Sequence, residues 1–145
     1  MMYEERNGDV SYFIVSFEVS KLLKKLGFNE TTTAFWDIKI NNFEGRAKPV
    51  LFIGKEEKLY NSNQPLVYAA PTRAEVMEWL RRIHKYYIYI IPRFDGFDGS
   101  QYFCHYSIFK EGAIEECDIE GCGSFGYREA EEKAIDEVLR MLQKA

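Results

Sequence analysis

The sequence predicts an α+β fold: an antiparallel sheet with three helices packed mainly on one face. Three observations carry that expectation. Apolar residues recur at helical spacing in the stretches beginning near 17, 72 and 127. Between 34 and 60, and again after 86, the pattern changes to period two or to runs of β-branched and aromatic residues. The strand-like runs after 86 are joined by glycine-bearing turns instead of helices, which marks them as antiparallel neighbours. The chain has 145 residues, enough for a core that buries about 68–70% of the unfolded surface. It reads as a single domain over 1–145, with a loose tail at 1–9.

The segment from Ala70 to Ile91 organises the prediction. Thr72 is placed as an N-cap and Glu75 can complete a capping box, while Pro71 holds Ala70 extended. Val76, Leu80 and Ile83 then share a face flanked by Met77 and Trp79. Glu75, Glu78, Arg81, Arg82 and Lys85 cover the rest of the helix. From Tyr86 the residues are β-branched or aromatic without a break, which predicts a central strand covered on both faces and ended by Pro92.

The remaining elements follow from the same rules. Val10 to Val15 reads as a short strand. Ser16 offers an N-cap for a helix from Phe17 to Leu26, with Val19, Leu22, Leu23 and Leu26 on one stripe and Gly27 as a left-handed stop. Ala34 to Asn41 alternates as a half-buried strand. The Asn-Asn and Glu-Gly-Arg region with Pro49 reads as a loop, followed by strands at Val50 to Ile53 and Lys58 to Tyr60. Phe94 to Ser100 is a loop of Asp-Gly pairs. Gln101 to Phe109 and Ala113 to Ile119 are the second and third strands of a meander turned at Glu111-Gly112, and Gly121 to Gly126 is a glycine-rich link. A last helix spans Tyr127 to Gln143, burying Ala130, Ala134, Ile135, Val138, Leu139 and Leu142.

Composition narrows the function classes. Hydrophobic residues make up 46% and charged residues 29%, as in an ordinary folded protein. The net charge of −4 is neutral over residues 1–70 and acidic beyond them, where a nucleic-acid binder would carry a basic excess. Nucleic acid is therefore the less favoured partner. No apolar run reaches the ~18 residues of a membrane span, and the first residues have no basic n-region or apolar core. Together with the odd number of cysteines, Cys104, Cys117 and Cys122, this predicts reduced thiols and a cytoplasmic setting.

The motifs do not assemble into known chemistry. Cys117 and Cys122 lack the tight paired spacing of structural zinc, and the neighbours Cys104 and His105 point to opposite faces of a strand. Asp95 and Asp98 lack the alternating ligands and distal Glu of a calcium loop. The glycines around Cys122 are not followed by the Lys-Ser or Lys-Thr of a phosphate loop. His84 and His105 belong to no nucleophilic motif. Glu115, Glu116, Asp118 and Glu120 read as a solvated edge. No cofactor and no catalytic or metal residue is expected.

Aromatic residues reach 16% of the chain and crowd two neighbouring strands. Tyr87, Tyr89, Phe103 and Tyr106 are the candidate interaction surface, since tyrosine joins contact area to a polar tip. The favoured expectation is a non-catalytic cytoplasmic interaction or accessory protein that binds a protein partner, with homo-oligomerisation left open. One alternative is nucleic-acid binding through Arg73, Arg81, Arg82, Lys85 and Arg93, with the steep salt dependence that phosphate contacts bring. The other is a small carboxylate-based enzyme, which needs a deep pocket with convergent acids.

Two resemblances add context. SFEVSKLLKKLGF at 16–28, APTRAEVMEWLRRIHKYYIYI at 70–90 and YREAEEKAIDEVLRML at 127–142 resemble small uncharacterised proteins of gut bacteria, their phages and mobile elements. The likeness covers most of the chain outside 41–63. It implies a phage or mobile-element context and one domain, with no assigned activity. From Pro71 to Ala145 the predicted order of helix, three strands and helix is similar to a double-stranded-RNA-binding domain, with GCGSFGYREAEEKA where that family starts its lysine-rich helix. The lysine pair is replaced by Arg128-Glu129, Glu131 and Glu132 follow, and Asp95 and Asp98 occupy the loop that would meet the minor groove. Duplex RNA is read through 2′-OH and phosphate contacts over about 16 base pairs, so the resemblance implies the topology without the binding.

Overall fold

The computed structural model describes residues 11–41, 46–54, 66–95, 101–112 and 119–145, with side chains placed for all of these except 11, 39–41, 46–47, 93–95, 101–103 and 119–125. The fold is α+β. The chain divides into two compact units, Met1–Thr72 and Arg73–Ala145, and each contains a three-stranded antiparallel sheet. Two short sheets thus form where the sequence predicts a single one centred on Tyr86 to Ile91. The expected tail at 1–9, the strand at 58–60, the loop at 96–100 and the stretch 113–118 lie outside the described residues.

In the first unit a 3-10 turn, Ser11–Phe13, replaces the predicted strand at Val10 to Val15. Ile14 makes only an isolated bridge to Thr72, and the Val15 N–H donates to the Pro71 carbonyl at 3.0 Å. Helix α1, Phe17–Lys25, starts where the sequence places it, with the Ser16 hydroxyl accepting from the Val19 N–H. It ends in a Schellman arrangement: Gly27 N–H donates to Lys24 O, Phe28 N–H donates to Leu23 O, and Gly27 takes φ 91°.

Strands β1, Ala34–Asn41, β2, Arg46–Ile53, and β3, Val67–Ala69, pair in the order β2-β1-β3. Ile14, Ala34, Leu51 and Ala70 form the core, with Trp36 and Ile53 against it. Strand β2 begins before Pro49, which the sequence assigns to a loop. The Ile38 N–H points to Leu66 O, on the β3 side, so its pairing with Pro49 is a non-hydrogen-bonded one. The missing N–H of Pro49 therefore faces away from β1, on an edge strand where proline is tolerated. Lys24 fastens α1 to β3, its ammonium donating to Val67 O at 2.7 Å and lying 4.8 Å from the Tyr68 ring centroid.

In the second unit, helix α2, Arg73–His84, leads into β4, Tyr86–Asp95, β5, Gln101–Lys110, β6, Ile119–Phe125, and helix α3, Tyr127–Lys144. The sheet order is β4-β5-β6, so β5 is central and β4, predicted to be central, is an edge. The edge position lets β4 run through Pro92 to Asp95. Strand β6 occupies the glycine-rich stretch predicted to be a link. Its register shifts between Tyr106↔Gly121 and Cys104↔Phe125, a bulge that Gly121 and Gly123 make easy to form.

Helix α3 lies across this sheet and buries Ala130, Ala134, Ile135, Val138 and Leu139. The sheet contributes Cys104, Tyr106 and Ile108, all buried. Helix α2 buries Arg73, Val76, Trp79 and Leu80. Ile83, predicted to share that core face, is 50% exposed. Between α2 and β4, Lys85 takes φ 63°, the left-handed position that glycine or asparagine usually fills after a helix.

Candidate functional site

Side chains alternate across a strand, and the β4–β5 register divides the aromatics into two sets. Tyr87, Tyr89 and Ile91 stand opposite Phe109, Ser107 and His105, while Ile88 and Ile90 stand opposite Ile108 and Tyr106. The second set belongs to the α3 side. Tyr106, expected on the interaction surface, is 7% exposed there, and burial together with the nearby Glu137 carboxylate pushes its phenol up from the usual range.

In the first set His105 and Ser107 are buried, and the other members form a different surface. Tyr89 is 51%, Ile91 39% and Phe109 36% exposed, and the Tyr89 and Phe109 rings meet edge to face at 5.4 Å. Tyr87 completes the patch. Its hydroxyl donates to Glu111 Oε2 at 2.8 Å, and that hydrogen bond raises its pKa from the ordinary tyrosine value. Phe103 pairs with Arg93 in the same register, and both side chains lie outside those described. Ile91 and Phe109 are members the sequence reading missed. The signal for them was the alternation itself, carried two residues past Tyr89 and across to its strand partner.

Beside this patch lies a groove of about 430 Å³ between α2 and β4. Ala74, Met77, Glu78 and Arg81 form the helix wall, and Tyr87, Ile88 and Tyr89 the strand wall. The Arg81 guanidinium donates to Glu78 Oε2 through both Nε and Nη2, which holds the Glu78 carboxyl below its usual range and raises Arg81. The groove thus has an apolar and aromatic lining with one ion pair on its rim.

The five basic residues named for phosphate contact do not share one setting. Arg73 is buried, with Nε 3.3 Å from Glu131 Oε1, and so does not face solvent. Arg81 is held by Glu78. Arg82 and Lys85 are exposed, and Arg93 has no described side chain. His84, the last residue of α2, packs its ring edge to face with Trp79 at 4.6 Å, and its Nε2 is buried with no hydrogen-bond partner among the described residues. Burial lowers its pKa, helped by the positive charge of Lys110.

Among the described residues no group of three His, Cys, Asp or Glu side chains is placed to hold a metal ion. Cys104 is buried and forms no disulfide among the described residues. Cys117 and the side chain of Cys122 lie outside the description. No described helix is long and apolar enough to cross a membrane. Comparison with known proteins finds no family model, no curated protein and no solved structure that matches the chain.

Proposed function

We infer that this chain is a non-catalytic cytoplasmic interaction or accessory protein of a phage or mobile element, which binds a protein partner through the Tyr87, Tyr89, Ile91 and Phe109 face of β4 and β5. The observation that carries this reading is the exposed Tyr89–Phe109 ring pair. Two large aromatics kept in contact at the surface, beside the exposed Ile91, form the kind of apolar centre around which protein interfaces concentrate their affinity. The phage or mobile-element setting rests on the sequence resemblance alone.

The nucleic-acid alternative loses support from Arg73, which sits in the interior, and from Arg81, whose charge Glu78 already offsets. The carboxylate-enzyme alternative calls for convergent acids in a deep pocket, and the α2–β4 groove carries one carboxylate, paired to arginine.

Affinity capture of the tagged chain from its native cytoplasm, with and without nuclease, tests the reading. A protein partner recovered near one-to-one, resistant to nuclease and lost from the Tyr89→Asp variant, is the expected result. Recovery that vanishes on nuclease treatment, or a turnover activity abolished by changing a groove residue, overturns it.

A further inference from the structure

We propose that the outer edge of β4 accepts an extended peptide segment of another protein as an added strand, seated between β4 and α2 with an acidic end toward Lys85 and Lys110. This deepens the interaction reading and rests on it, by naming the partner's chemistry.

Two independent features converge on that edge. The first is the direction of the main-chain groups. The Glu111 N–H donates to the Lys85 carbonyl at 2.9 Å, and the register continues without a break from Tyr86↔Lys110 to Asp95↔Gln101. Hydrogen-bonded and non-hydrogen-bonded pairs alternate in an antiparallel ladder. Tyr87, Tyr89 and Ile91 therefore direct N–H and C=O toward β5, and Tyr86, Ile88 and Ile90 direct theirs outward. Strand β4 ends the sheet, so no described strand lies on that side. Pro92 is next in the outward series and has no N–H, which closes the run of donors after Ile90.

The second feature is the position of the groove. Tyr87 and Tyr89 project from one face of the strand and Ile88 from the other. A cavity lined by all three, with α2 as its other wall, is consistent with a position along the strand's edge. Ala74 and Met77 form the apolar part of its opposite wall, placed to receive alternate side chains of an added strand. Main-chain pairing with pockets for every second side chain is how strand addition combines affinity with selectivity.

Geometry and charge select the occupant. An added strand lies about 4.8 Å from its neighbour, whereas a second copy of this chain would bring its own α2, about 10–12 Å across, to the same edge. A lone segment therefore needs less room beside α2 than a second helix-flanked edge does. Around the α2–β4 junction Arg81 is paired with Glu78, and among the described residues the exposed Lys85 and Lys110 add positive charge, which favours carboxylates on the segment's nearer end.

The test selects binders to the full chain from a random dodecapeptide library displayed on phage, then follows amide exchange with the enriched peptide. Expected are alternating apolar positions with acids at one end, slowed exchange at Ile88 and Ile90, and at least tenfold weaker binding when the peptide is N-methylated at alternate residues. Ile90→Pro removes an outward donor and spares the bonds to β5, and it should weaken binding similarly; the N-methylated peptide gives the same readout without altering the protein. Absence of enriched peptides, binding indifferent to N-methylation, or a dimer joined through β4 overturns strand addition. A captured partner lost with Tyr89→Asp but unaffected by Ile90→Pro overturns this proposal and leaves the interaction reading standing.

Discussion

Arg73 of α2 and Glu131 of α3 form an ion pair in the interior of the second unit, Nε to Oε1 at 3.3 Å, with side chains 3% and 10% exposed. Two opposite charges placed this deep are each other's compensation for lost water, and neither is well tolerated alone. The pair ties the first residue of α2 to the buried face of α3, next to Ala130 and Ala134. It thereby helps to hold the helix that forms one wall of the groove.

Glu131→Gln should accordingly lower the unfolding free energy by about 3 kcal/mol, because it takes the opposing charge from a guanidinium buried in the core. The double change Arg73→Met with Glu131→Leu should recover most of that loss. Urea unfolding of the two variants beside the parent chain measures both effects.

Gly27 and Lys85 make a matched pair of backbone predictions. Both have positive φ, but only Gly27 is suited to it. A Cβ at Gly27 would meet nothing within 4 Å, so Gly27→Ala should cost about 1 kcal/mol through backbone conformation alone. Lys85→Gly relieves a left-handed lysine and should gain about 0.5 kcal/mol after the added freedom of the unfolded chain is counted. Thermal unfolding should move in opposite directions for the two variants.

His84 should give the unfolding free energy a specific pH dependence. Its folded pKa is depressed by burial and by Lys110, so between the folded value and the unfolded value of about 6.5 the unfolded chain binds more protons. Its contribution is complete above the unfolded value and is lost as pH falls through the folded one. His84→Gln should remove that component from unfolding curves measured between pH 5 and pH 8. Asp136, raised chiefly by burial, acts in the opposite sense at more acidic pH, and comparing the variant with the parent cancels it.

Pro92 withholds an outward donor from β4, which ends the described sheet. Pro92→Val supplies one and extends the edge by a residue pair, so light scattering should report several-fold more self-association with little change in stability.

The helices were legible because their signals are local. Ser16 and Gly27 bound α1, Thr72 immediately precedes α2, and the apolar stripe of α3 runs through Ala134, Ile135, Val138 and Leu139, all buried. The sheets were less legible because their edges are set by partners distant in sequence. Pro49 read as part of a loop and Pro92 as a strand end, and both are tolerated within strands because the missing N–H faces away from the neighbouring strand. The glycines of β6 read as a link and instead accommodate a bulge. The aromatic cluster was visible as composition, but its division into a buried Tyr106 and an exposed Tyr89 needed the register. Arg73 looked like a solvent-facing cation because nothing local to it announces Glu131, 58 residues away.

The most direct test of the interaction reading compares capture by two forms of the tagged chain, the parent and Tyr89→Asp. The account predicts one protein partner retained by the parent and lost from Tyr89→Asp, with both forms equally folded by circular dichroism. Retention of the same partner by Tyr89→Asp would contradict it and move the binding surface away from the aromatic face.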